Sequence, residues 1–348
     1  MKKESLKQIK LKQEIMKIIN MKTISIKKTG ICLVMALISA LILCGCTAGG
    51  ADAKEGKLRI VTTIFPEYDW VREIMGDKTE KAELTLLMGN GVDLHSYQPT
   101  VDDIIRISGC DLFIYVGGES DEWVDEALQE AANKNMVVLN LMDLLGDKVK
   151  EEEQVEGMQA EAEHDHDEET EYDEHVWLSL KNAAVICDKI AEALSSLDPE
   201  NSEYYRSNLD LYKQRINALD TQFNDTVKNG RVKTILFGDR FPFRYFTDDY
   251  GLSYYAAFAG CSAETEASFE TVIFLANKTD ELKLPAILTI DGSDGRIAET
   301  IRDNTVSRDQ KILTLNSMQS VTSRDISGGT DYVSIMEENL KVLKEALD

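Results

Sequence analysis

The sequence predicts an α/β protein built as two similar parallel-sheet lobes joined by one long rigid α-helix. Three observations carry this. From Lys57 short β-rich runs alternate with amphipathic helical stretches. A single apolar stripe, Tyr205, Leu209, Tyr212, Ile216, Leu219, Phe223 and Val227, recurs at spacings of four and three. That is one helix face held for about eight turns. After it, from Gly230, the same alternation begins again.

In the first lobe, KLRIVTTIF is a strand ending at Pro66, and EYDWVREIMG a helix stopped by Gly76. AELTLLMG is the second strand. Thr100 caps the helix VDDIIRISGC, with Asp103 three residues on as its capping-box partner. DLFIYVG is apolar throughout, as a strand buried on both faces should be. DEWVDEALQEAANK reads as a helix and MVVLNLMD as the fourth strand. VWLSLKNAAVICDKIAEALSSL reads as one helix. Asp198-Pro199 closes it and opens the long one, with Asp198 as N-cap and Pro199 at the first helical position. In the second lobe, VKTILFG, LSYYAAF, PAILTID and KILTLNS are strands. PFRYFTDDYG, SFETVIFLANKTDEL, GRIAETIRDNT and YVSIMEENLKVLKEAL are helices.

Two segments stand outside this pattern. Residues 150–174 have almost no apolar content and form an acidic, His-rich loop. At the start, Lys22, Lys27 and Lys28 precede the apolar run Ile31–Cys44, which is short for a membrane span. A basic stretch, a short apolar core and small residues at the cut read as a secretory signal. Leu43-Cys44-Gly45-Cys46 resembles a bacterial lipobox, which makes Cys46 the lipidated residue. Met21 is a candidate start, since MKTISIKKTG alone makes a basic leader of ordinary length. The expected organisation is a signal peptide with lipobox (1–45), a tether (46–56), the N-terminal lobe (57–197), the linking helix (198–229) and the C-terminal lobe (230–348).

The 348 residues carry 38 Lys+Arg against 62 Asp+Glu, a net charge of −24. Cleavage before Cys46 makes the balance more acidic still. An acidic surface repels phosphate backbones, so nucleic acid is excluded as a partner. Beyond Cys46 the cysteines are Cys110, Cys187 and Cys261, too few and too scattered for a disulfide framework or a C-x-x-C metal site. Small buried apolar residues are the plainer reading of them. There is no G-x-S-x-G, no Walker loop and no dinucleotide fingerprint.

The four histidines remain. His95 lies in GNGVDLHSYQPT, turn-rich sequence after the second strand, where an α/β lobe places ligand groups. His175 stands between the acidic loop and the packed residues Trp177 and Leu178. His164 and His166 sit within the loop as H-x-H among acids. They read either as a solvated loop or as a mobile metal-collecting one.

GVDLHSYQPT resembles the G-x-D-P-H-x-Y-x-P segment of bacterial zinc/manganese ABC-transporter solute-binding proteins, and DEHVWLSLKNA is similar to that family's D-P-H-x-W-L-x-P-x-N-A. The order of lipobox, lobe, His-rich acidic loop, long helix and second lobe resembles the zinc-binding branch. The resemblance implies a metal-receptor type periplasmic-binding fold, with His95 and His175 as metal ligands. In the second lobe, FGDRFPFRYF aligned on FRYF puts Arg240 at the position of the family's third ligand. An always-protonated guanidinium cannot ligate a cation. Asp239 is the substitute; Glu264 or Glu266 are alternatives, with Cys261 ranked behind them. LTIDGSDGR offers Asp291 and Asp294 for the fourth position, and the match of Arg296 favours Asp294. Arg240 is expected to pair with Asp239 or with an acid of the His loop.

His95, His175, Asp239 and Asp294 make an N2O2 set that suits Zn²⁺, with Mn²⁺ as the alternative. Because such ligands bind deprotonated, binding is expected to weaken as pH falls through about 6.5. The implied protein is a monomeric lipid-anchored receptor on the extracytoplasmic face of the cell membrane, not an enzyme. It delivers its ion to an ABC permease, with the long helix restricting lobe motion. A surface adhesin or interaction lipoprotein is the alternative. An extracellular zinc hydrolase is a further one, which the absence of H-E-x-x-H argues against.

Overall fold

The computed structural model describes residues 56–159, 171–262 and 266–348. The signal segment 1–45, Cys46, His164, His166 and Glu264 lie outside the described residues. Lys57–Asp348 form one compact unit.

Two four-stranded parallel sheets organise that unit. The first holds β1 (Leu58–Thr62), β2 (Ala82–Leu86), β3 (Leu112–Tyr115) and β4 (Val137–Asn140), in the order β2-β1-β3-β4. The second holds β5 (Thr234–Arg240), β6 (Ser253–Phe258), β7 (Ala286–Ile290) and β8 (Lys311–Leu315), in the order β6-β5-β7-β8. Each lobe therefore repeats one strand order, and both sheets are parallel, as the alternation implied. All four residues of β3 and all five of β7 are buried, which explains their unbroken apolar runs.

The helices, in order, are α1 (Phe65–Met75), α2 (Val101–Gly109), α3 (Trp123–Gln129), α4 (Leu141–Leu145), α5 (Leu180–Leu197) and α6 (Ser202–Asn229). The second lobe adds α7 (Arg244–Tyr250), α8 (Phe269–Leu282), α9 (Arg296–Asp303), α10 (Ser323–Ser327) and α11 (Tyr332–Leu347). Thr100 and Asp103 form the expected capping box on α2. The helix expected from Val176 starts later. Val176–Leu178 is a 3-10 turn, and the Ser179 hydroxyl accepts from Asn182 N at 3.0 Å to open α5. Pro199–Asn201 is likewise a 3-10 turn before α6, so Asp198 is not the α6 N-cap. Its carboxylate instead accepts from Asn201 Nδ2 at 2.7 Å and Tyr205 Oη at 2.6 Å. The apolar stretch after β4 turns helical as α4, capped by the Asn140 side chain.

All seven stripe residues of α6 are buried. The helix packs on α1 and α5 of the first lobe and on α7 and α11 of the second. Phe223 reaches α7, with its ring 5.1 Å from Phe246 and 5.4 Å from Tyr250. Truncating such a ring costs about 3–5 kcal/mol. Further ties cross directly between lobes. Asp69 on α1 accepts from Tyr332 N at 2.8 Å. Tyr332 Oη donates to Trp177 O at 2.7 Å, and Trp177 Nε1 to Ser317 O at 2.9 Å. The carboxyl ends of both sheets meet in a cleft of about 540 Å³, lined by the end of β5 and by loops after β2, β6, β7 and β8. In open α/β sheets this is where ligands bind.

Candidate metal centre

His95 and His175 are 80 residues apart, yet their Nε2 atoms face each other at 3.2 Å. Each is aimed by the same local device. Two residues ahead stands an aspartate whose Oδ1 accepts from the histidine backbone N–H: Asp93 at 3.0 Å and Asp173 at 2.8 Å. Asp173 Oδ1 also lies 3.1 Å from His175 Nδ1. On His95, Nδ1 meets Ser120 Oγ at 2.8 Å and Glu174 Oε2 at 3.5 Å. With Nδ1 of each ring directed at an acid or hydroxyl, Nε2 is the ring atom that each histidine turns toward the other.

Glu174 is buried, and its Oε1 accepts from Ser120 N at 2.8 Å. It fits there because Gly118, at φ 82°, has no side chain; a Cβ would stand 2.4 Å from Glu174 Oε1. Burial raises the Glu174 carboxyl above its ordinary range. Burial also pulls the His95 imidazole down to about 3, with the neighbouring His175 adding to the shift. Burial thus favours the neutral, ligand-ready form of His95.

The third member of the cluster is Cys261. One ligand atom each from His95, His175 and Cys261 lie within 4.8 Å of one another. Among the described residues, neither Asp239 nor Asp294 joins them. Asp239, at the end of β5, lines the cleft but accepts from Arg240 N at 2.9 Å and Ile290 N at 3.4 Å. Asp294 lines its outer part, where its carboxylate binds Arg296 N at 3.0 Å and Nε at 2.9 Å. Asp291 is occupied by Ser317 N at 2.5 Å, Ser317 Oγ at 2.7 Å, Ser320 N at 3.1 Å and Ser320 Oγ. Glu266 is exposed, and its backbone carbonyl accepts from Gln159 Nε2 at 3.3 Å. Arg240 pairs across the cleft with Asp93 Oδ2 at 2.7 Å, not with Asp239. Burial pushes the Asp93 carboxyl up, but the Arg240 hydrogen bond and charge outweigh it and hold the group below its ordinary value.

Sequence reasoning missed Asp173, Glu174 and Ser120 as the groups behind the two histidines. Asp173 and Glu174 were absorbed into the acidic run. The usable signal was the repeated Asp-x-His of DLH and DEH.

The chain is 31% identical over 321 residues to the zinc-binding lipoprotein AdcA of Streptococcus pneumoniae, covering 91% of this chain and 61% of that one. The chain thus spans about three fifths of that relative. It is 29% identical to the high-affinity zinc uptake system protein ZnuA of Bacillus subtilis, covering 92% of this chain and 98% of that one. The crystal structure of the Zn(II)-bound ZnuA-like domain of Streptococcus pneumoniae AdcA superposes with a TM-score of 0.66 at 27% identity, covering 84% of this chain and all of that one. Residues 60–346 match the family model described as zinc-uptake complex component A, periplasmic, and the chain belongs to that family of transport components.

Proposed function

We propose that the protein is an extracytoplasmic receptor that captures zinc between its lobes and hands it to an ABC permease. One observation carries the reading: two buried or half-buried imidazoles present Nε2 to Nε2 at 3.2 Å, each backed by an acid or hydroxyl on Nδ1. Two nitrogens bound to one tetrahedral zinc at about 2.05 Å stand about 3.3 Å apart. The pair is therefore spaced for the ion before it arrives. Manganese is the alternative cargo. The relatives named as zinc-binding lipoprotein and zinc uptake protein support zinc and the transport role. The membrane anchor rests on Leu43-Cys44-Gly45-Cys46, with the lipid on Cys46.

Titration of zinc and manganese into metal-free protein tests this. One zinc per chain is expected, with affinity down at least 100-fold in His95→Ala and in His175→Ala, since ligands matter more than the partners behind them, which are worth about 10–100-fold. Parent-like zinc binding in both variants would refute the receptor. The anchor is read in cells: Cys46→Ser should leave the membrane pellet.

A further inference from the structure

The two histidines belong to the first lobe and to the segment that leads into α5. A receptor that closes on its ion needs a donor from the second lobe as well. Among the described residues, three of the acids that the sequence offered there are engaged elsewhere: Asp291 by Ser317 and Ser320, Asp294 by Arg296, and Asp239 by the backbone of Arg240 and Ile290. Arg240 carries a positive charge and is latched to Asp93.

Among the described residues, Cys261 is the second-lobe donor that reaches the histidines. It follows edge strand β6, in the turn that passes over the His175 ring. Gly260 makes that approach feasible. A Cβ at this position would lie 3.2 Å from His175 Cε1 and 2.9 Å from Phe241 O. The backbone of the turn is held from the other side, since Glu152 Oε1 accepts from Cys261 N at 3.0 Å. Glu152 is itself fixed. It lies on the stem of the acidic loop, where Glu152 N donates to Glu171 O at 3.0 Å and Asp173 N to Lys150 O at 2.9 Å. The stem that holds Cys261 in place therefore also carries Asp173, the group behind His175.

We infer that the Cys261 thiolate is the second lobe's ligand to the captured ion, completing a His95–His175–Cys261 set. This rests on the reading of the site as a metal receptor and deepens it. Sulfur and nitrogen on one tetrahedral zinc stand about 3.6 Å apart, given bonds near 2.3 and 2.05 Å. The observed limit of 4.8 Å leaves the sulfur a short movement to make. On binding, the S–H proton leaves to water, the sulfur–zinc bond forms and the ion sheds a water. A thiolate also selects: it suits zinc and other borderline or soft ions and disfavours manganese, which prefers oxygen. Three protein donors leave the fourth position on the cleft side, exchangeable, as suits a carrier that must release its ion.

Cobalt(II) loaded into the full-length protein provides the test, because thiolate ligation gives a near-ultraviolet charge-transfer band that nitrogen and oxygen ligands do not. The parent should show the band. Cys261→Ser, with every other cysteine retained, should lose it and bind zinc about 10–100-fold more weakly. Cys261→Asp should bind through oxygen and narrow the preference for zinc over manganese. If the parent lacks the band and Cys261→Ser binds zinc as tightly as the parent, the thiolate assignment is overturned. The receptor then still stands so long as His95→Ala and His175→Ala lose zinc. Should Cys261→Ser fail to fold, Cys261→Asp decides the matter, since it should lack the band while the other cysteines remain.

Discussion

The two lobes share a strand order but contribute differently to the site. Both place their edge strand, β2 or β6, beside the cleft and follow it with a loop that carries a donor. In the first lobe that donor is His95, in an Asp-x-His turn whose Asp93 accepts from its backbone N–H, while Ser120 Oγ and Glu174 Oε2 meet its ring. In the second it is Cys261, in a turn with no such local device, held from outside by Glu152. The first lobe's half of the site thus starts from a local turn and is completed by Ser120 and Glu174 from elsewhere in the chain, while the second's is positioned by docking alone. Equivalent topology sets where a ligand loop emerges, and the residues around it decide what the loop can hold.

The comparison breaks most directly at Asp173. Asp173→Asn keeps the shape but removes the charge behind His175 Nδ1, and zinc affinity measured by competition with a chelator should fall about 10–100-fold. An unchanged affinity would mean that the ring needs no help from its own turn.

The seam between lobes is tested at Asp69. Burial raises its carboxyl from 3.8 to about 7, against the pull of Tyr332 N and Arg72. The folded protein therefore holds a proton there that the unfolded chain releases near pH 4. That contribution is present below about pH 4 and lost as pH rises through about 7. Urea unfolding of parent and Asp69→Asn should show the parent's advantage shrinking between those values. A difference independent of pH would contradict the assignment.

The smallest effect is expected from the acidic loop. Deleting Glu161 to Thr170 leaves Glu152, Asp173 and Glu174 on the stem, so zinc titration should still find one tight site at parent affinity. Loss of that site would move the first lobe's half of the comparison into the loop.

Much of this protein is legible locally. The seven-residue stripe of α6 and the apolar runs of β3 and β7 declare themselves by period and length, because each burial pattern is written into neighbouring residues. The later starts of α5 and α6 were not, since Val176–Leu178 and Pro199–Asn201 form 3-10 turns whose residue types also suit a regular helix. His95 and His175 could be singled out from turn-rich context and family likeness. Cys261 stood among the second-lobe candidates but behind the acids, because nothing near it in the chain resembles a ligand motif. Side-chain chemistry and local period are properties of adjacent residues, so the sequence by itself determined the strands, the linking helix and the two imidazoles. Which acids are consumed by loop hydrogen bonds, where Arg240 spends its charge, and which thiol meets the histidines depend on loops brought together from two sheets. Those choices were made by the tertiary structure alone.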